Sequence, residues 1–284
     1  MSSLRLLVRP ALFTAGVCGT CFCCAAIVQH ERRQVKYFSN RWRPFSVVQD
    51  WTQKRQQERN TWAELKRRFT QFTDQYSTSQ KIAGCTILLN LAVFCAWRVP
   101  SLGPLLDRYF TSRISTSRIP LSPMILSCFS HQRPLHFLLN MSCLYSFSGV
   151  ATHLLGPEQL IGLFISAGAV SSFTSIAYRC ATKCSSGSLG ASGAFFGILA
   201  YTCYTRPDYE LLVFLIPVTA GTALTGLMIF DLIGVIARWR ALDHAAHLGG
   251  ALFGLWYATY GRDMFNRHKG AIVDKWIELK KQND

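Results

Sequence analysis

Acidic residues are scarce in this chain. Its 284 residues hold 15 Asp and Glu against 30 Lys and Arg, and only 16% of the total is charged. A soluble domain carries about a quarter charged residues, so an ordinary water-soluble globule is a poor fit. No Asp or Glu occurs before Glu31. No internal repeat, intramembrane charged pathway or pair of broken helices is visible, which argues against a transporter or channel. No groove-reading motif or binding fold accompanies the basic residues, which argues against nucleic acid as a partner. Eleven cysteines are present, yet the Cys18-x-x-Cys21 spacing has no histidine or carboxylate beside it and no second pair. Metal binding is therefore not expected, and Cys85, Cys95, Cys143 and Cys203 lie in apolar blocks where thiols behave as small hydrophobes.

What is present is apolar residue, half of the chain. It is gathered into blocks of roughly 17 to 25 residues, the length that crosses a ~30 Å hydrocarbon layer as a helix. The expected fold class is an all-α polytopic membrane protein. Spans are expected at 11–29, 82–99, 135–155, 160–178, a short one at 189–204, 212–236 and 245–260. Pro217 interrupts the sixth, whose membrane part should begin after it. The division is a flank and extra helix (1–30), a basic juxtamembrane connector (31–81), a six-helix core (82–261) and a polar tail (262–284). The connector carries twelve Lys and Arg against five Asp and Glu, a composition that suits anionic lipid headgroups. Trp42, Trp51 and Trp62 suit the interface. The loop 101–133, with Pro104, Pro120 and Pro123, is too apolar for free solvation and is expected on or partly in the membrane. Seven spans put the termini on opposite faces. The positive-inside rule would place connector and tail in the matrix or cytoplasm. The start, with Arg5 and Arg9 and no acid, is similar to an import-signal flank, but a removable signal is usually longer, amphipathic and serine-rich, so 11–29 is read as a retained span.

Two reactive residues stand inside separate apolar blocks. Ser192 lies in Gly190-Ala191-Ser192-Gly193, and His247 lies in Ala246-His247-Leu248-Gly249-Gly250. Hydrocarbon tolerates ionisable groups poorly, so an intramembrane histidine points to function. A serine hydroxyl becomes a nucleophile when a neighbouring base takes its proton, and His247 is the available base. Asp243, one turn earlier, is read as a capping residue rather than a third partner, which leaves a Ser–His dyad. Gly190, Gly193 and Gly197 fall at i, i+3 and i+7, and His247, Gly250 and Gly254 repeat that spacing. Such small-residue stripes let helices approach closely in lipid. His136 and Asn140 share a helix face. Alone they suit an interhelical hydrogen bond; beside the dyad, they and the Ser192 N–H suit stabilisation of an oxyanion. His131 and His244 are expected near water at helix ends, His153 and Glu158 as a loop pair. Asp231 is expected to bond a neighbouring helix or cap its own.

The ordered trio His136-x-x-x-Asn140, Gly190-x-Ser192-Gly193 and Ala246-His247-x-x-Gly250-x-x-x-Gly254 resembles the rhomboid family of intramembrane serine proteases. An extra helix before a six-helix core, with Phe94 to Leu102, Arg108 to Ser112 and Phe253 to Gly261, is similar to the family's mitochondrial members. The resemblance implies a protease of the mitochondrial inner membrane, without cofactor or metal. Its partners would be lipids and single-pass membrane proteins, cut within or beside their transmembrane segments. It also implies Ser192 as nucleophile, His247 as general base, and His136, Asn140 and the Ser192 N–H around the oxyanion. The family's mitochondrial topology implies an N-terminus in the matrix, opposite to the charge-based orientation. Phe196 stands where bacterial relatives often carry a tyrosine, so ring packing alone is carried over. Trp97-Arg98 ends a span instead of lying in the first core loop. The alternative is an inactive rhomboid-like scaffold that binds single-pass clients; such relatives lack a dyad member, and both are present here.

Overall fold

The computed structural model describes residues 3–41, 64–65, 67–68, 70–114, 119–213 and 216–282. The tryptophan-bearing stretch expected at the interface, 42–63, lies outside the described residues. The helices are α1 (Ser3–Arg41), α2 (Thr78–Ala96), α3 (Gly103–Phe110), α4 (Pro123–Leu126), α5 (Pro134–Leu155) and α6 (Pro157–Thr182). They continue as α7 (Ser192–Thr205), α8 (Ala220–Ile236), α9 (His244–Trp256) and α10 (Arg262–Lys281). The architecture is an all-α polytopic membrane bundle. Among the described residues three helical stretches are long and apolar enough to cross a membrane, Arg5–Val35, Thr78–Ala96 and Pro157–Thr182, and Ala220–Ile236 is a shorter apolar helix.

Local chemistry sets the helix limits. Ser77 and Gln80 form a reciprocal capping box at the start of α2, which satisfies two otherwise orphaned N–H groups. Pro134 and Pro157 occupy the first turns of α5 and α6, where a missing N–H costs nothing. Gly156, at φ +80°, makes the sharp joint between them. The Thr219 and Asp243 side chains accept backbone hydrogens at the starts of α8 and α9.

The helix of the sixth expected span begins after Pro217, as expected, but the residues before it are strand. Glu210–Val213 and Ile216–Thr219 pair as a two-stranded antiparallel sheet, with Leu212 opposite Pro217. The helix starts after Pro217, at Ala220. A short apolar run rich in branched residues has no periodicity that separates strand from helix. The first span also runs past its expected limit, as α1 extends to Arg41.

Side chains sort as a membrane demands. Helix α6 sits at the centre and buries Gly162, Ala167, Gly168, Ser171, Ser172 and Ser175. Large apolar residues face outward instead, including Leu135, Leu138 and Leu139 on α5 and Phe230, Leu232 and Ile236 on α8. Close contact between spans comes from small residues, while lipid accepts the bulky ones. Leu6, Leu7 and Phe13 of α1 pack with Met124 and Ile176 at one end of the bundle. At the other end Arg32 pairs with Glu158 at 2.8 Å, and the Trp276 indole donates to Glu31. The chain therefore begins and ends at opposite ends of the bundle. Glu158 was expected to meet His153; the longer reach of the α1 arginine takes it instead.

The loop 101–133 is held to the bundle. Within it Leu106, Ile119, Met124 and Cys128 are buried. The Trp97 indole donates to Ser130 Oγ at 2.9 Å, and Arg98 donates to the Gln132 carbonyl while lying over the Phe94 ring.

Candidate functional site

Ser192 is the first residue of α7, a helix of 14 residues, shorter than the ~20 a spanning helix needs. The hydroxyl therefore lies below the bundle's end, in a recess. The loop before it is pinned on both sides. The Gly190 N–H donates to the Ser127 carbonyl at 2.9 Å, and the Ala191 N–H donates to His131 Nε2 at 3.3 Å. Gly190 adopts φ +134°, and a Cβ there would lie 2.7 Å from His136 Cε1. Only glycine meets both demands. Gly190 thus belongs to the loop, not to the helical stripe expected from its spacing, because α7 starts two residues later.

The rest of the stripe joins α7 to α9. A Cβ on Gly250 would strike the Gly193 carbonyl, one on Gly254 the Gly197 carbonyl, and one on Gly197 the Ala167 methyl. With side chains absent along this seam, the two helices carry their reactive residues into contact. Ser192 Oγ lies 2.9 Å from His247 Nε2. The Phe196 ring stacks on the imidazole, centroids 4.3 Å apart and planes within 6°, so the ring has little freedom to rotate.

The other ring nitrogen of the imidazole has a partner. His247 Nδ1 is 3.1 Å from Asp231 Oδ1, and Asp231 is buried on α8. A carboxylate only accepts, so it selects the tautomer with hydrogen on Nδ1 and a free lone pair on Nε2. That lone pair faces the serine hydroxyl. The expected dyad is therefore a Ser192–His247–Asp231 relay in geometry. Asp243 is spent elsewhere: it accepts from the Ala246 N–H at 3.1 Å and from the Ser175 hydroxyl. His244 Nδ1 also lies on Asp231 Oδ1, at 2.6 Å. His244 and His131 are both buried, contrary to the expectation of water at helix ends. The rings of Phe230 and Trp239 pack around His244, and those of His136 and Phe137 against His131.

Above the dyad opens a cavity of about 630 Å³, lined among others by Ser192, His247, His136, Tyr178, Arg133 and Trp239. His136 stands at its wall, against Gly190. Asn140 does not line it; its amide donates to the His136 carbonyl at 2.8 Å, which leaves one amide hydrogen. The Ser192 N–H lies in the first turn of α7, where a helix offers no acceptor. The cavity opens at the end of the bundle where the chain begins.

Arg179 was not singled out by sequence, since it falls one residue past an expected span. It is buried, and its guanidinium donates to the Ser112 and Ser186 carbonyls at 2.7 and 2.6 Å. Those bonds, with the Ser112–Ser188 backbone pair, tie the loop after α3 to the loop before Ser192. A lone arginine at the end of an apolar helix was the available signal.

Among the described residues, Asp231, His244 and His247 are the group whose ligand atoms converge within 4.8 Å as a metal site requires. Hydrogen bonds between both Nδ1 atoms and the carboxylate already account for that convergence. The arrangement can remove a proton from Ser192 and hold the resulting imidazolium beside a negative charge.

A family model described as the rhomboid domain matches residues 120–263. The chain is 39% identical to the mitochondrial presenilin-associated rhomboid-like protein of Mus musculus, over 98% of this chain and 73% of that protein. Presenilin-associated rhomboid-like protein A, mitochondrial, of Danio rerio is 36% identical over 96% and 76%. Rhomboid protein 1, mitochondrial, of Saccharomyces cerevisiae is 34% identical over 61% and 51%.

Proposed function

The chain belongs to the rhomboid family, and from that premise we propose that it is an intramembrane serine endopeptidase acting on single-pass membrane proteins. It is a mitochondrial multi-pass membrane protein, by its spans and its relatives' names; the inner membrane is the compartment proposed for it. The observation that carries the proposal is the 2.9 Å contact between Ser192 Oγ and His247 Nε2 at the floor of the cavity.

In the proposed reaction His247 Nε2 takes the Ser192 proton as Oγ attacks the scissile carbonyl carbon. Asp231 stabilises the imidazolium. The oxyanion is received by the Ser192 N–H and by His136, donors fixed before charge develops; Asn140, expected beside them, lies outside the cavity lining and holds the His136 carbonyl instead. His247 then passes its proton to the leaving amine, which departs with half of the substrate. Water from the cavity, deprotonated by His247, releases the acyl half from Ser192. Each step uses groups of the chain and water alone. A substrate helix must unwind locally to offer its carbonyl, so small or helix-weakening residues should flank the cut. The outer wall formed by α8 and the loop 237–243 is the proposed entry.

The deciding experiment is reconstitution of the purified protein with a fluorescent single-pass substrate and a fluorophosphonate probe. Cleavage, with probe mass found on Ser192, supports the proposal; bound but uncut substrate and unlabelled Ser192 would make the protein a scaffold.

Two further results are expected. Asp231→Asn keeps an acceptor near His247 but removes the charge that stabilises the imidazolium. Its kcat should fall by about 100-fold or more with a nearly unchanged melting temperature, as removal of the charge from such a relay does elsewhere. A rate within twofold of the parent would show that Asp231 only packs. Cys184 lines the cavity, and the Ser186 hydroxyl beside it holds its thiol below the ordinary range. A charged methanethiosulfonate should therefore label it ahead of buried Cys128 and Cys203 and slow cleavage by crowding the entry. Cys184→Ser should be immune.

A further inference from the structure

A serine relay needs one imidazole on its carboxylate, and this site has two. Asp231 Oδ1 receives His247 at 3.1 Å and His244 at 2.6 Å. The shorter contact belongs to the residue with no part in the proposed chemistry. His244 has a place made for it. Gly234, across on α8, lies so close that a Cβ there would collide with the imidazole carbons. The edges of Phe230 and Trp239 enclose the same ring, with centroids 5.4 and 5.7 Å away. His244 is only 3% exposed and Asp231 1%.

The division of labour follows from which helix each group rides on. Asp231 belongs to α8, whose outer face is bare apolar side chain, whereas His247 and His244 are one turn apart on α9. A carboxylate on the wall of the bundle drifts relative to α9 unless something on α9 holds it. We propose that His244 is a positioning residue: its Nδ1–H clamps the Asp231 carboxylate to α9 and keeps Oδ1 aimed at His247. This rests on the peptidase reading given above. His244 borders the same cavity as Ser192 and His247 but is only 3% exposed and bonds Asp231; in this proposal it acts through Asp231, and an unchanged KM separates that role from substrate contact. Loss of the clamp would leave binding of substrate intact and misalign the base, an error that costs rate steeply.

The test compares three variants in the reconstituted assay, each checked by thermal melting. His244→Phe fills the aromatic box without a donor. His244→Asn places an amide hydrogen near the position of Nδ1, and His244→Gln places it near Nε2 instead. We expect kcat to fall by about 10- to 100-fold in His244→Phe and His244→Gln with KM within about twofold, and His244→Asn to recover kcat to within about threefold. Should His244→Phe fail to fold, the contrast between Asn and Gln decides. Equal rates for these two variants, or an unchanged kcat in a folded His244→Phe, overturn the clamp. Ser192→Ala is run in parallel. If it stays active the peptidase reading itself fails; if it is dead while His244→Phe is normal, only this inference fails.

Discussion

Replacing Ser192 by alanine should abolish cleavage of a single-pass substrate, a loss of about 10⁴-fold or more in kcat. Removal of the nucleophile takes away the covalent pathway itself, and the surviving oxyanion donors cannot replace it. The variant should fold normally. Among the described residues the hydroxyl is bonded to His247 alone, and His247 keeps its stack on Phe196 and its bond to Asp231. Loss of rate with an unchanged melting curve and intact substrate binding is therefore the expected pattern. Residual cleavage above a tenth of the parent rate, with a protease contaminant excluded by a fluorophosphonate gel, would falsify Ser192 as nucleophile.

The second large effect concerns a residue with no functional group. Gly250→Val should lower stability by about 3 kcal/mol, the upper range for forcing methyl groups into a packed interior, and reduce cleavage to background. The added Cβ meets the Gly193 carbonyl, which is backbone and cannot swing aside. Helices α7 and α9 must part, and Ser192 and His247 part with them. Gly226→Val on α8 is the control, since nothing lies within 4 Å of a Cβ there. A Gly250→Val protein that melts and cleaves like the parent would mean the seam does not set the distance between hydroxyl and imidazole.

The contact between Ser192 and His247 was legible because two glycine spacings point at each other, and glycine faces in lipid have few uses besides close approach. Helix existence was legible from apolar length. The partner of the imidazole was not. Asp243 stands four residues from His247 and is the natural suspect by sequence, but an aspartate just before a helix is captured by its N–H groups. Asp231 lies 16 residues away on another helix, and only the fold brings it near. Gly190 was assigned to a helical face because its spacing fits one; its positive φ is invisible in sequence. The strands Glu210–Val213 and Ile216–Thr219 were hidden for a related reason, as a short apolar run suits strand and helix alike. Arg179 shows the limit of span boundaries, since one residue decided whether it was read as an anchor or overlooked.

Helix α9 does not end after the turns that carry His244 and His247. A π turn at Tyr257–Gly261 carries it directly into α10, and Tyr257 stacks on Phe22 of α1 with centroids 4.8 Å apart. The imidazole thus sits near one tip of a single long rod whose midpoint bears on the first helix and whose far end is tethered to Glu31. Torque applied to that first helix, by membrane thinning or by a bound protein, has a direct mechanical route to the base. What looks like an appended anchor is packed against the same helix that carries His247.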